Sequence, residues 1–168
     1  MSFSLIPHGF YPCVEAINPE FLSKKGITLV LADLDNTLVA YKTLTPSPSI
    51  VQWKEHLNRN GIDLYIVSNS RKPTRVSQFS ANLGVKFIGH SDKPSRRGFV
   101  HALKEMNRKP EETIMVGDQI FTDILGANRA GITPLLIAPI QLAGNPGRYI
   151  RYTIEFPFRN LGARRPFL

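Results

Sequence analysis

The sequence predicts an α/β protein with a doubly wound, mostly parallel β-sheet, and two patterns carry that prediction. First, five apolar runs rich in Val, Ile and Leu recur along the chain, and they are continuous rather than alternating. Continuous runs are typical of strands that are covered on both faces. Second, segments with helix start and stop signals lie between the runs, so that strands and helices alternate. This alternation favours right-handed crossovers and a ligand site at the carboxyl ends of the strands.

The predicted strands and helices take up most of the chain between residues 28 and 138. The strands, in order, are Thr28–Ala32, Asp63–Val67, Val85–Ile88, Glu112–Val116 and Thr133–Ala138. Pro and Ser, which are favoured at helix starts, precede the first three helices, and a glycine follows the first, second and fourth. The helices, in order, are Ile50–Asn58, Arg75–Leu83, Arg97–Met106 and Thr122–Ala130.

Both ends of the chain lie outside this alternation. Scattered apolar residues within the first 26 positions predict a helical segment that lies on the core. Residues 144–168 contain five arginines interleaved with aromatic residues, and we expect Pro157 to break any helix there. We therefore divide the chain into a single domain over residues 1–143 and a basic, aromatic C-terminal extension over residues 144–168. The extension either packs its aromatic side chains on the domain or forms a surface that meets an anionic membrane or a partner.

Composition narrows the class of protein. The chain has 168 residues, a net charge of +8 and one cysteine, Cys13. One cysteine excludes an intramolecular disulfide and a multi-cysteine zinc site, which is typical of a reducing compartment. No apolar run approaches the roughly 20 residues that span a bilayer, and the N-terminus lacks the pattern of a secretory signal, so we expect a cytoplasmic protein. The positive charge favours anionic partners such as phosphorylated metabolites, nucleic acid or lipid headgroups.

The segment Asp33-Leu34-Asp35-Asn36-Thr37 directly follows the apolar run that ends at Ala32. Two carboxylates at the end of a buried strand are costly to desolvate, which indicates that the protein uses them. They can hold a divalent cation, attack phosphorus or transfer a proton. A calcium-binding EF-hand loop is excluded, because Leu38 and Leu44 stand where that loop requires Gly and Glu.

Groups suited to phosphoryl transfer follow four of the predicted strands. They are Asp33 and Asp35 after the first, Ser68 and Asn69 after the second, Lys93 after the third, and Asp118 and Asp123 after the fourth. A hydroxyl and N–H groups at a helix start can bind a phosphate, and an ammonium group can neutralise its charge. Ordinary alternatives exist for three of them: Ser68 as a helix N-cap, Lys93 as surface charge and Asp123 as a helix cap.

These motifs resemble those of the haloacid dehalogenase (HAD) superfamily of phosphohydrolases. Asp33-Leu34-Asp35-Asn36-Thr37 resembles the first motif, Ser68 the second, Lys93 the third, and Gly117-Asp118 through Asp123 the fourth. The resemblance covers about residues 27–138. With the segment Gly126-Ala127-Asn128-Arg129-Ala130-Gly131, the first and fourth motifs look more narrowly like the YqeG group, which is related to phosphatidylglycerophosphate phosphatases.

The resemblance implies a reaction and a set of roles. Asp33 would be the nucleophile that forms an aspartyl-phosphate, and Asp35 would be the acid that protonates the leaving oxygen and the base that activates water. Ser68, Asn69 and Lys93 would bind the phosphoryl group. A phosphomonoester brings about two negative charges to the carboxylate nucleophile, so cations and N–H groups must offset that repulsion.

The resemblance also implies Mg²⁺ as the cofactor. The carboxylates of Asp33 and Asp118 and the backbone carbonyl of Asp35 would hold the ion. Asp123 would lie in the outer shell of the metal or orient Lys93. Octahedral oxygen ligation suits Mg²⁺ better than a metal that prefers soft ligands.

Spacing bears on the choice of substrate. In the superfamily, a cap domain often follows the first motif or separates the second and third, but the intervals from Asp35 to Ser68 and from Ser68 to Lys93 leave no room for one. An open site admits large or surface-bound substrates, and the resemblance makes phosphatidylglycerophosphate our best single prediction, with peripheral contact to an anionic membrane. The alternatives are a phosphatase of a small soluble sugar phosphate or nucleotide, and a regulatory or RNA-binding protein on this scaffold. The intact motifs, with acids that repel one another, make nucleic acid the less favoured partner.

Overall fold

The computed structural model describes residues 3–41, 43–141, 146–163 and 167. Within these ranges, one sheet has the strand order β1-β6-β5-β2-β3-β4, and every pairing in it is parallel. The strands are β1 (Gly9–Tyr11), β2 (Leu29–Ala32), β3 (Asp63–Val67), β4 (Lys86–Ile88), β5 (Thr113–Gly117) and β6 (Thr133–Ile137). The helices are α1 (Pro19–Lys24), α2 (Pro48–Arg59), α3 (Pro73–Leu83), α4 (Arg97–Met106), α5 (Leu125–Ala130) and α6 (Pro146–Ala163). The predicted fold class is confirmed.

Helices cover the sheet on both faces, which explains the continuous apolar runs. Neighbouring residues of the central strand β2 belong to different core clusters. Val30 packs in the cluster that contains Trp53 of α2 and Phe79 of α3, whereas Leu31 packs in the cluster that contains Phe99 of α4. All four residues of β2 are buried, so the strand shows no alternation of polar and apolar positions.

The strand order creates a topological switch point between β2 and β5. From β2 the chain builds outward through β3 and β4, and it then returns to the other side of β2 to form β5 and β6. A crevice opens at the carboxyl ends of the strands where the direction of building reverses. Asp33 directly follows β2 and Asp118 directly follows β5, so both lie at this crevice.

Most predicted elements are observed, with shifts of a few residues at their ends. β3 and α4 have the predicted bounds. Helices α2 and α3 begin two residues earlier than predicted, at Pro48 and Pro73, because a proline fits the first turn of a helix. The predicted helix Thr122–Ala130 begins instead with a π-helical turn, Ile120–Ile124, and then continues as α5.

The prediction of a helical segment over the first 26 residues is wrong in part. Helix α1 is short, and its N-cap Asn18 accepts a hydrogen bond from the Phe21 N–H at 3.0 Å. Before it, β1 adds a sixth strand beside β6, with Gly9 opposite Leu135. A three-residue strand is too short to show a periodic pattern. Its hydrogen-bond partner, β6, lies more than 120 residues later in the sequence.

The prediction that Pro157 breaks any helix in the C-terminal extension is also wrong, since α6 continues through it. A proline inside a helix removes one hydrogen bond and costs about 3 kcal/mol. Contacts on both sides of Pro157 oppose that cost. Glu155 and Arg159 are buried and form an ion pair at 2.7 Å, and Phe158 packs edge-to-face on Phe121 with ring centroids 6.5 Å apart.

The described arginines of the C-terminal extension contact the domain. Arg159 is buried, and the exposed Arg151 donates a hydrogen bond to the side chain of Gln119. The side chains of three further arginines lie outside the described residues: Arg148, Arg164 and Arg165. Among the described helices, none has the length and apolar character to cross a bilayer. The part of the extension that the structure describes therefore gives no support to a basic membrane-facing surface.

Packing between α4 and α5 depends on Gly126, where a Cβ atom would lie 2.5 Å from the ring of the fully buried Phe99. We expect Gly126→Ala to lower the free energy of unfolding by roughly 1–3 kcal/mol, the usual cost of overpacking, in a chemical denaturation experiment. Phe99→Leu alone should also destabilise. The double variant should lose less than the sum of the two single losses, because the leucine makes room for the methyl group. Additive losses would show that another contact excludes the methyl group.

Candidate active site

The carboxyl edge of the sheet brings together the residues that the sequence selects. The N–H of Asp33 donates to the carbonyl of Val116 at 3.0 Å, and the N–H of Ser68 donates to the carbonyl of Ile88 at 2.9 Å. Both bonds continue the pattern of the sheet one residue beyond its strands. The side chains that follow β2 and β3 are therefore held at fixed positions beside the switch point.

Lys93 lies at the centre of this group. Its ammonium nitrogen is 2.6 Å from Asp33 Oδ1, 2.7 Å from Asp123 Oδ1 and 2.6 Å from the carbonyl oxygen of Val67. The contacts with Asp33 and Val67 are hydrogen bonds, and the contact with Asp123 is an ion pair. The lysine is 5% exposed, which excludes the interpretation of Lys93 as a surface charge.

Asn69 holds the loop that carries Lys93. Its side-chain oxygen accepts hydrogen bonds from the Lys93 N–H and the Ser91 hydroxyl, both at 2.8 Å, and its amide nitrogen donates to the Lys93 carbonyl at 2.9 Å. The amide side chain of Asn69 is thus engaged with protein groups, and substrate binding by this residue stays a prediction. Ser68 is buried and its hydroxyl accepts from the Ser70 N–H at 3.1 Å. It is not an N-cap, because α3 begins after Lys72.

Asp123 folds back from the π-helical turn toward Lys93. Its Oδ2 atom accepts a hydrogen bond from the Gln119 N–H at 3.1 Å, while Oδ1 faces the lysine. Gly117 makes this possible, because a Cβ atom there would lie 2.5 Å from the Asp123 side chain. The glycine of the fourth motif therefore has a steric role. Asp123 both stabilises its own turn and orients the lysine.

Three buried carboxylates meet around the ammonium group. One oxygen from each of Asp33, Asp118 and Asp123 can be chosen so that all three lie within 4.8 Å of one another. Asp118 Oδ1 is buried and accepts no hydrogen bond from the described residues. Three carboxylates and one ammonium carry a formal charge of about −2 when all are ionised. Such a group requires a further cation or protonation.

The pKa values reflect this crowding. Burial raises the pKa of Asp33, the charges of Asp123 and Asp35 raise it further, and Lys93 lowers it, with a net value of about 7. Burial also raises the pKa of Asp118 well above its usual range, together with Asp33 and Asp123, whereas Arg159 and Lys93 oppose the shift. Burial disfavours the charged form of Lys93, but the two carboxylates beside it prevail and raise its pKa.

Asp35 points away from this group and pairs with an arginine that the sequence did not single out. The Arg75 Nη1 atom lies 2.8 Å from Asp35 Oδ1, and the arginine side chain is 10% exposed. Its guanidinium carbon is 5.8 Å from the centre of the Tyr41 ring. Arg75 is the first residue of a helix predicted from the sequence. No local sequence signal indicates that α3 places the Arg75 side chain beside Asp35.

The site opens to solvent through a polar cavity. Its lining includes the two acids of the first motif and the Ser68–Asn69 turn, and its rim is basic at Arg71 and Lys72. Between the first and second motifs lie a loop, α2 and β3, and between the second and third lie α3 and β4. Among the residues that the structure describes, the intervals thus hold only elements of the sheet domain, and a phosphate can reach the acids from the open edge.

Comparisons with known proteins agree with this geometry. The profile of the haloacid dehalogenase-like hydrolase family matches residues 5–131. A Bacillus subtilis (strain 168) protein named "Probable phosphatase YqeG" is 35% identical over 158 residues, which cover 94% of this chain and 90% of that protein. The Arabidopsis thaliana protein "Phosphatidylglycerophosphate phosphatase 1, chloroplastic/mitochondrial" is 31% identical over 153 residues, which cover 84% of this chain but 43% of that protein.

A similar fold occurs in a solved structure. The crystal structure of an uncharacterized protein from Listeria monocytogenes serotype 4b aligns with a TM-score of 0.57 at 22% identity, over 71% of this chain and 85% of that one. That likeness concerns the fold alone. The family profile spans most of the chain, and the Bacillus relative matches nearly all of it. The chain therefore belongs to the haloacid dehalogenase-like hydrolases, and it is an enzyme of the phosphatase type.

Proposed function

We propose that the protein is a Mg²⁺-dependent phosphomonoesterase that acts through an aspartyl-phosphate on Asp33. One observation carries this proposal: a buried carboxylate at the switch point is held by Lys93 at 2.6 Å beside two further carboxylates. A lone buried acid–lysine pair is explained by structure alone. An excess of carboxylates over cations in an open polar crevice is suited to binding a cation.

The residues present fit a magnesium ion. Asp118 Oδ1 is buried with no hydrogen-bond partner among the described residues, and an oxygen in that state is suited to a hard cation. Asp33, Asp118 and the backbone carbonyl of Asp35 would hold the ion, while Asp123 stays with Lys93. When bound, Mg²⁺ offsets the negative charge of the phosphoryl group as it approaches the acids.

Different side chains of the protein carry out the steps of the reaction. An oxygen of Asp33 attacks phosphorus as the bond to the leaving oxygen breaks, and Lys93, 2.6 Å from Asp33 Oδ1, holds the carboxylate in place. Asp35 donates a proton to that leaving oxygen. It then takes a proton from a water molecule that attacks phosphorus, which releases phosphate and restores Asp33. Arg75 holds the Asp35 carboxylate through an ion pair at 2.8 Å.

For the substrate, we propose phosphatidylglycerophosphate. The name of the Arabidopsis relative, the absence of a cap between the motifs, and the net charge of +8 support this choice. Phosphate release should be measured with Mg²⁺ on vesicle-embedded phosphatidylglycerophosphate, a sugar phosphate and a nucleoside monophosphate. We expect kcat/KM to be highest on the lipid. A clear preference for either soluble substrate would assign the enzyme to soluble metabolism.

Asp33→Asn should abolish turnover, because it removes the nucleophile. It should also stabilise the metal-free protein, because it relieves repulsion among the acids. The pKa of Asp33 is raised from 3.8 to about 7, so its ionisation destabilises the fold progressively between about pH 4 and pH 7. In thermal unfolding with EDTA, the gain from Asp33→Asn should therefore be larger at pH 8 than at pH 4. Near wild-type turnover in this variant would rule out the aspartyl-phosphate.

Asp35→Asn should reduce steady-state hydrolysis by roughly 10²–10⁴-fold, the usual contribution of a positioned acid–base group. With p-nitrophenyl phosphate, the leaving group departs without a proton, so a burst of about one nitrophenolate per site should precede the slow phase. Mg²⁺ affinity should stay close to that of the wild type, whereas Asp118→Asn should lose it. Equal loss of Mg²⁺ affinity in the two variants would contradict the assigned division of roles.

A further inference from the structure

The C-terminal helix α6 contains two buried charges that the proposed reaction does not use. Glu155 is 1% exposed and Arg159 is 6% exposed, and they pair at 2.7 Å one turn apart. The Arg159 guanidinium also lies over the Tyr152 ring, 4.5 Å from its centre. A buried ion pair is weak evidence for stability, because the cost of desolvating two charges can exceed their attraction. The remaining contacts of the pair are therefore the informative ones.

Both charges bind the backbone of the loop that follows β5. Glu155 Oε1 accepts a hydrogen bond from the Ile120 N–H at 2.9 Å, and Arg159 Nη2 donates to the Asp118 carbonyl. On the same helix, Arg151 donates to the side chain of Gln119. Three successive loop residues are thus held by α6, and the first of them is the acid with the unpartnered buried oxygen.

These contacts hold the backbone on both sides of the Asp118 side chain. On its N-terminal side, Gly117 is held in the sheet opposite Leu136. On its C-terminal side, Arg159 binds the peptide carbonyl of Asp118 itself. Because like charges repel, a free loop would move Asp118 away from Asp33 in the absence of a cation. A loop held at both ends keeps the three carboxylates together before the cation arrives.

We propose that Glu155 and Arg159 are positioning residues that preorganise the metal-binding loop, so that α6 belongs to the active site. This inference rests on the proposed Mg²⁺ site. It assigns to residues 146–163 a function in metal binding that their sequence, as a basic and aromatic extension, does not indicate. Groups that orient metal ligands typically contribute about 10–100-fold to metal affinity, which sets the size of the expected effect.

The test is the affinity for Mg²⁺, measured without substrate from the rise of the melting temperature with Mg²⁺ concentration and by calorimetric titration. Arg159→Met should raise the Kd for Mg²⁺ by about 10–100-fold. Arg159→Lys keeps a cation that can donate to the Asp118 carbonyl, and it should restore part of the affinity. If Arg159→Met does not fold, Arg159→Lys and Glu155→Gln are measured instead. Each should lose Mg²⁺ affinity, by a smaller factor than is expected for Arg159→Met.

Two controls separate positioning from general destabilisation. Ile154→Gln changes an exposed residue of the same helix, and Phe79→Leu weakens the core on the other side of the sheet. Both should keep the wild-type Kd for Mg²⁺. The proposal would be overturned if every folded Arg159 and Glu155 variant kept the wild-type Kd for Mg²⁺. It would also be overturned if Phe79→Leu lost as much Mg²⁺ affinity as those variants. Absence of Mg²⁺ binding by the wild-type protein would instead refute the proposed metal site itself.

Discussion

The buried ammonium group of Lys93 is the interaction on which the site depends. It lies among carboxylates that would repel one another without it, and its three short contacts join β2, β3 and the turn after β5. Loss of the lysine would leave the buried carboxylates without a cation, and breaking a buried charge pair in this way is strongly destabilising, typically by about 3–5 kcal/mol. Further residues position the lysine and its partners. Asn69 fixes its loop, and Gly117 leaves the space through which Asp123 reaches it.

The parallel sheet explains how such a group can be assembled. Four of the described strands are followed by site residues at their carboxyl ends, and the reversal of strand order beside β2 leaves a gap between the covering helices. The loops carry the polar side chains of the site, whereas the buried strands fix the positions at which those loops begin. The Asp33 and Ser68 backbones both continue the hydrogen-bond pattern of the sheet, so the acidic loop and the Ser68–Asn69 turn begin at positions that the sheet fixes.

The site separates its two kinds of acid by what surrounds them. Asp33, Asp118 and Asp123 are buried together, and the pKa values of the first two are raised, so this group favours a cation. Asp35 faces the solvent-accessible side with Arg75 beside it. The proposed mechanism requires this difference, since the nucleophile would stay close to the metal and the proton carrier would reach the leaving group. The two acids of one short motif thus have different ionic partners, Lys93 for Asp33 and Arg75 for Asp35.

The sequence alone determined the fold class, most of the strands and helices, and the residues that line the crevice. These features are local: a strand buried on both faces needs a continuous apolar run, and a group at the end of a strand reaches the carboxyl edge whatever else the chain does. Tertiary structure decided the rest. Arg75 reaches Asp35 only through the direction of α3, β1 exists only because β6 accepts it, and α6 persists through Pro157 while Glu155 and Arg159 bind the loop after β5. Each of these depends on contacts between segments far apart in the chain, and no pattern within a single segment records which distant partner will satisfy its polar groups.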